Sequence, residues 1–138
     1  MSSSRSSSLV VLLKHALQRL SELNSAALEP YGVTGRELGV LAAVDEGESA
    51  SQQDIARRLT VDRTTMVAFI DTLEAKGLVE RRPDALDRRR NVIELTAAGR
   101  ETLRKALIAS GEAEREFLTP LTGLTGAQLK DALRSLNQ

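Results

Sequence analysis

Apolar residues recur at helical spacing along most of this chain and alternate at strand spacing in one short stretch. Leu9, Leu13, Leu17, Leu20, Leu23 and Ala27 form one stripe, which predicts a helix from Leu9 to about Leu28. Val10, Val11 and Leu12 widen that stripe near its start, and a terminal helix with so broad an apolar surface calls for a second surface, such as a partner chain. Pro30 and Gly32 end the element. Thr34 and Glu37 then have the spacing of a capping box, opening a helix that carries Leu38, Leu41 and Val44 and stops near Gly47. Ser51 and Asp54 repeat the cap in a looser form ahead of Ile55, Ala56 and Leu59. After the Thr60-Val61 turn, Asp62 is placed to cap a helix to Lys76 with Met66, Ile70 and Leu73 on its core face and Gly77 as a left-handed stop.

Periodicity then changes. Leu78 to Arg82 has strand character, Pro83 to Leu86 breaks it, and Asn91 to Leu95 reads as the returning strand with Asn91, Ile93 and Leu95 on one face. Thr96 starts a long helix to about Leu118, Pro120 and Gly123 interrupt, and a cap at Thr125 with Gln128 opens a last helix bearing Leu129, Leu133 and Leu136. The expected class is therefore mainly α with a small β-hairpin.

Composition narrows the chemistry. The chain has no Cys and one His, His15, which argues against disulfides, thiolate chemistry and a metal centre built within one chain. No nucleophile–base pair or phosphate-cradling glycine loop is present, so an enzyme is not expected, nor a cofactor. The start, with its Ser-rich run over 1–8, reads as a disordered tail rather than a signal peptide, and no apolar run reaches the ~20 residues of a membrane span, so a cytoplasmic protein with no membrane partner is expected. Net charge is zero, but residues 51–90 hold nine basic and seven acidic side chains, and five arginines fall within 81–90. A local basic patch of this kind suits phosphate, and equally suits a solvated face.

Two short helices joined by a tight turn and followed by an arginine-tipped hairpin fit duplex DNA, with one helix in a major groove and the hairpin reaching an adjacent minor groove. On that reading, the exposed first turn of the second helix offers Arg63, Thr64 and Thr65, with Val67 and Ala68 behind, to base edges. Ser51, Gln52 and Gln53 open the preceding helix, whose amide end suits a phosphate; a plain capping role fits them as well. On an extended hairpin Arg89 points opposite to Arg88 and Arg90, and Asp87 is placed to hold the Arg89 guanidinium for the minor groove while its neighbours meet phosphates. The plainer account of the same residues is a solubilising turn with an incidental ion pair.

The pattern Asp87-x-Arg89, five residues, Leu95-Thr96, two residues, Gly99 resembles the signature of the MarR family of winged helix-turn-helix regulators. The preceding Ser51–Arg82 segment, with Asp71, Leu73, Gly77 and Leu78, is similar to that family's DNA-binding core, and the likeness covers roughly residues 34–99. The resemblance implies a winged helix-turn-helix protein whose N- and C-terminal helices form a homodimer interface. It divides the chain into a tail at 1–8, a dimerisation helix at 9–32, a DNA-binding region at 33–99 and dimerisation helices at 100–138. It also implies sequence-specific binding of double-stranded DNA at a pseudo-palindromic operator and repression relieved by a small ligand. Arg89 becomes the wing-tip arginine, Asp87 its anchor, and Arg63 to Ala68 the base-reading face.

The departures matter too. Without Cys, the peroxide-sensing branch of the family is excluded, and the lack of Trp sets aside a urate-type pocket. For a small aromatic or anionic effector, the resemblance leaves His15, Arg19, Tyr31 and Arg36 as candidate contacts; a lone His on such a helix is also a common interface residue. A different class of function uses the same hairpin to dock a protein, without specific DNA binding.

Overall fold

The structure is a computed structural model that describes residues 8–47, 50–121 and 126–138. Its elements in chain order are α1 (Leu9–Leu28), a 3-10 turn (Glu29–Tyr31), α2 (Gly35–Glu46), α3 (Gln52–Leu59), α4 (Arg63–Ala75), β1 (Val79–Pro83), β2 (Asn91–Leu95), α5 (Ala97–Leu118) and α6 (Gly126–Leu136). This is the mainly helical chain with one antiparallel hairpin that the periodicity predicts. Most of the 1–8 tail, Gly123 and the cap at Thr125 lie outside the described residues.

Local chemistry explains most helix ends. Thr34 accepts from the Glu37 amide at 3.1 Å and donates its own amide to Glu37 at 2.8 Å, a complete capping box. Ser51 and Asp54 make the same reciprocal pair at 3.1 and 3.0 Å, so the cap that looked loose in sequence is fully formed. Asp62 has the extended backbone of a cap but makes no side-chain capping bond, a departure from expectation. Gly77 closes α4 at φ +75°, the left-handed conformation that a side chain disfavours. Thr60 adopts that conformation at φ 54° in the turn between α3 and α4.

The chain falls into two compact units, one of residues up to Ala27 with Ala109–Gln138, the other Leu28–Ile108. In the second, Leu28, Leu41, Ile55, Met66, Ile70, Leu73, Val79 and Ile93 are buried at the centre, and Leu103 and Ala106 of α5 join them. β1 pairs with β2 from Val79↔Leu95 to Pro83↔Asn91, one residue later than predicted, with Pro83 at the end of the ladder. The other edge of β2 meets the entry to α3: Ile93 donates to the Ala50 carbonyl at 3.0 Å, and Ser51 bridges Val92. Val92, which alternation puts on the face opposite Ile93 and Leu95, is buried as well.

The start of α5 is locked to the end of α4. Thr96 donates its hydroxyl to the Gly77 carbonyl at 2.6 Å and accepts from the Gly99 amide at 2.9 Å. Gly99 lies so close to Leu78 that an added Cβ would sit 1.9 Å from that carbonyl oxygen. Lys76 reaches both carboxylate oxygens of Glu37, at 3.0 and 2.9 Å, and the Gly32 carbonyl at 2.8 Å. Burial pushes the Glu37 carboxyl up, but the Thr34 amide and the Lys76 ammonium together outweigh it and leave the group below its usual value.

In the first unit, Asn24 accepts from the Ser110 hydroxyl at 2.7 Å and Lys130 pairs with Glu114 at 3.0 Å. Leu13, Leu17, Leu20, Phe117, Leu129 and Leu133 line an apolar groove there of ≈ 520 Å³. Leu9, Val10, Leu12 and Leu136 are exposed. Among the described residues no helix is long and apolar enough to cross a membrane.

Candidate nucleic-acid interface

α4 buries one stripe, Met66, Ile70 and Leu73, and so presents the opposite one. At about 100° per residue the centre of the presented arc in the first two turns is Thr64 and Ala68, both exposed. Arg63 and the half-buried Val67 flank it on one side. Thr65 flanks it on the other, half-buried in a separate cleft with Arg36 and Phe69. The predicted reading residues thus share a helix but not one face.

Arg63 borders an open cleft of ≈ 310 Å³ that also takes in Ser51, Gln52, Gln53, Asp87, Arg89, Arg90 and Asn91. The mouth of α3, the first turn of α4 and the hairpin therefore meet around one concave surface. Helix geometry leaves the Gln52 and Gln53 amides without intrahelical acceptors, so they are donors available to an anion. Ser51 itself is buried and its hydroxyl is occupied by the Asp54 amide, so the capping role is the one observed. Asn91, which closes the cleft beside the wing, was missed in sequence because it reads only as the first residue of a strand.

The hairpin tip differs from expectation. Residues 88–90 form a turn rather than an extended run, so strict alternation does not apply to them. Asp87 accepts the backbone amide of Arg89 at 3.1 Å, and its carbonyl accepts the Arg90 amide at 3.0 Å. It therefore shapes the turn and does not hold the Arg89 guanidinium, because a carboxylate two residues back reaches the nearer amide first. Asp84 adds a second bond of the same kind, accepting from the Leu86 amide at 3.0 Å.

The five arginines of 81–90 sort into two groups. Arg81 donates to Asp71 at 2.6 Å and Glu74 at 2.9 Å, Arg82 lies 3.2 Å from both Glu80 and Glu94, and Arg90 pairs with Asp54. Among the described residues, no hydrogen bond or ion pair holds the guanidinium of Arg88 or Arg89, nor that of Arg63. The Asp54 carboxyl is lowered to about 2, first by the Ser51 amide, then by the Ser51 hydroxyl, with Arg57 and Arg90 adding to the effect.

Of the candidate effector contacts, His15 and Arg19 are exposed on α1 in the first unit, while Tyr31 and Arg36 are exposed in the second. Among the described residues no group of three or more metal-ligating side chains comes together.

The MarR family model matches residues 31–90. The HTH-type transcriptional repressor NicR of Pseudomonas putida is 32% identical over 89 residues, covering 64% of this chain and 56% of that protein. A second relative, from Thauera aromatica, is 30% identical and covered over 63% of its length, so the chain spans less than two thirds of either. Among solved structures, the transcriptional repressor CouR bound to a 23-mer DNA duplex matches with a TM-score of 0.84 at 32% identity, over 99% of this chain and 94% of that one. CouR of Rhodococcus jostii RHA1 bound to p-coumaroyl-CoA matches with a TM-score of 0.81 at 28% identity, over 95% and 92% of the two chains.

Proposed function

The chain belongs to the MarR family, and from that premise we propose that it is a sequence-specific, homodimeric transcriptional regulator that represses from a pseudo-palindromic operator and responds to a small ligand. The observation that carries the reading is the cleft where the α3 amides, Arg63 and Arg89 converge. Donors from three elements face one concavity, two of them arginines whose guanidinium has no ion pair among the described residues. A DNA phosphate satisfies the amides, and base edges suit Arg63, Thr64 and Ala68. Val67 and Thr65 border that helix face. Arg89, carried on the turn that Asp87 shapes, suits a narrow minor groove, with Arg88 beside it on a phosphate.

Dimerisation falls to the terminal helices, whose exposed Leu9, Val10, Leu12, Leu13 and Leu17 favour burial against a second copy. A twofold particle then sets two recognition helices about 34 Å apart, one turn of DNA. An effector acts by binding one spacing of those helices better than another. CouR binds p-coumaroyl-CoA, and by that likeness an aromatic acid or its thioester is the effector class proposed here. We assign the protein to the cytoplasm and give it no catalytic activity.

The test is selection of bound duplexes from random DNA, followed by mobility-shift titration and a screen of aromatic acids and p-coumaroyl-CoA for release. The expected result is enrichment of an inverted repeat with half-sites about one helical turn apart. No enriched duplex, together with a stable heteromeric protein partner, moves the case to the protein-docking alternative.

A further inference from the structure

Asp54 places a full negative charge at the edge of the surface that is to receive DNA. It is the third residue of α3, beside the Gln52 and Gln53 amides, and the Ser51 amide holds it ionised. That charge benefits the helix, since it caps the chain and opposes the dipole. It works against the surface, because it repels phosphate at short range.

Two cations compensate it. Arg57, one turn on, pairs with one carboxylate oxygen, and its side chain is 76% exposed. Arg90, at the end of the hairpin turn just before β2, pairs with the other oxygen and also lies 4.0 Å from Asp84 on the opposite arm of the hairpin. The Asp84 amide in turn donates to the Arg90 carbonyl at 2.8 Å. Arg90 is thus fixed at both backbone and side chain, joining the wing to the first turn of a helix 36 residues earlier. Its neighbours Arg88 and Arg89 have no such tie among the described residues.

We infer that Arg90 is a positioning residue, not a phosphate ligand: it neutralises Asp54 and fixes the hairpin turn against α3, leaving Arg88 and Arg89 to meet the nucleic acid. The inference rests on the DNA-binding reading above and assigns this one arginine a different part within it.

Affinity for the selected duplex is measured against salt concentration for the wild type, Arg90→Ala, Asp54→Asn and the double variant. Asn at 54 keeps an acceptor for the Ser51 amide, so the cap of α3 persists. Arg90→Ala is expected to weaken binding on the order of tenfold at low salt, a loss that shrinks as added salt screens the unpaired Asp54 carboxylate. Adding Asp54→Asn is expected to restore affinity to within about threefold of wild type, because the exposed charge is gone. Arg88→Ala is the contrast: its slope falls by about one, and Asp54→Asn does not rescue it.

The inference is overturned if Arg90→Ala binds as tightly as wild type or if Asp54→Asn fails to rescue it. Urea denaturation of the same four proteins provides a readout without DNA. A coupling between positions 54 and 90 is expected there, and its absence overturns the inference even where the wild type binds. Arg90→Gln, which keeps length and a donor without the charge, replaces the alanine variant if that one does not fold. Should the wild type bind no duplex, the DNA-binding reading fails first, and the fault then lies there while any stability coupling stands.

Discussion

Arg81 on β1 donates to Asp71 on α4 at 2.6 Å, a side-chain tie between that helix and the hairpin. The same guanidinium reaches Glu74 at 2.9 Å, which makes it a fork across two turns of the helix. With the Arg81 side chain 22% exposed, solvent screens the pair only in part. Arg81→Ala is expected to cost roughly 0.5–1 kcal/mol of stability, as a networked surface pair does. A double-mutant cycle with Asp71→Ala in urea checks it, and additive effects of the two changes would remove the tie from the account.

The arginines that have no ion pair among the described residues carry a different expectation. Arg89→Ala should weaken binding to the selected operator by about 1–3 kcal/mol and relax the preference at one base position. Arg63→Ala should act in the same way at another position. Unchanged affinity of the Arg89 variant in a mobility-shift titration would take the wing out of the interface.

Gly99→Ala tests packing. The added methyl would fall 1.9 Å from the Leu78 carbonyl oxygen, which also accepts the Thr96 amide at 3.1 Å. Backbone cannot yield as a flexible side chain can, so a loss of about 1–3 kcal/mol or more is expected. Thermal melting of the variant reads it out directly.

Acid should weaken the second unit through its caps. The Asp54 carboxyl sits at about 2 in the folded protein against an ordinary 3.8, so the unfolded chain binds the proton more tightly. Its contribution is complete above about pH 5 and drains as pH falls from about 4 toward 2. Glu37 is lowered too and adds in the same direction. Asp54→Asn should flatten the stability–pH curve over that window, and an unchanged curve from pH 5 to 2 would refute the assignment.

Thr60 offers a gain. A β-branched residue at φ 54° is strained. Thr60→Gly is expected to stabilise by roughly 1 kcal/mol, visible as a raised urea midpoint.

Much of this was readable because it is local. The caps at Thr34 and Ser51, the stop at Gly77 and the core stripes of α2 to α4 depend on residues three or four apart, which sequence displays directly. The resemblance around Asp87, Arg89, Leu95, Thr96 and Gly99 carried the family before any geometry was known. What sequence hid was non-local or competitive. The ties from Arg90 to Asp54 and from Arg81 to Asp71 join residues whose spacing has no periodic meaning. Val92 falls on the face opposite Ile93 and Leu95, yet it is buried, at the position that bridges Ser51. Asp87 had two plausible partners in Arg89, and only the folded turn decides for the amide over the guanidinium.

The hairpin has one edge with no strand beside it among the described residues, and that edge is β1. Its sequence is Val-Glu-Arg-Arg-Pro, three charges and a terminal proline in five residues. Open strand edges invite other chains to add themselves and grow into aggregates, and charge with proline blocks that route. The wing can therefore project into solvent, ready for nucleic acid, without becoming a seed for fibrillar self-association.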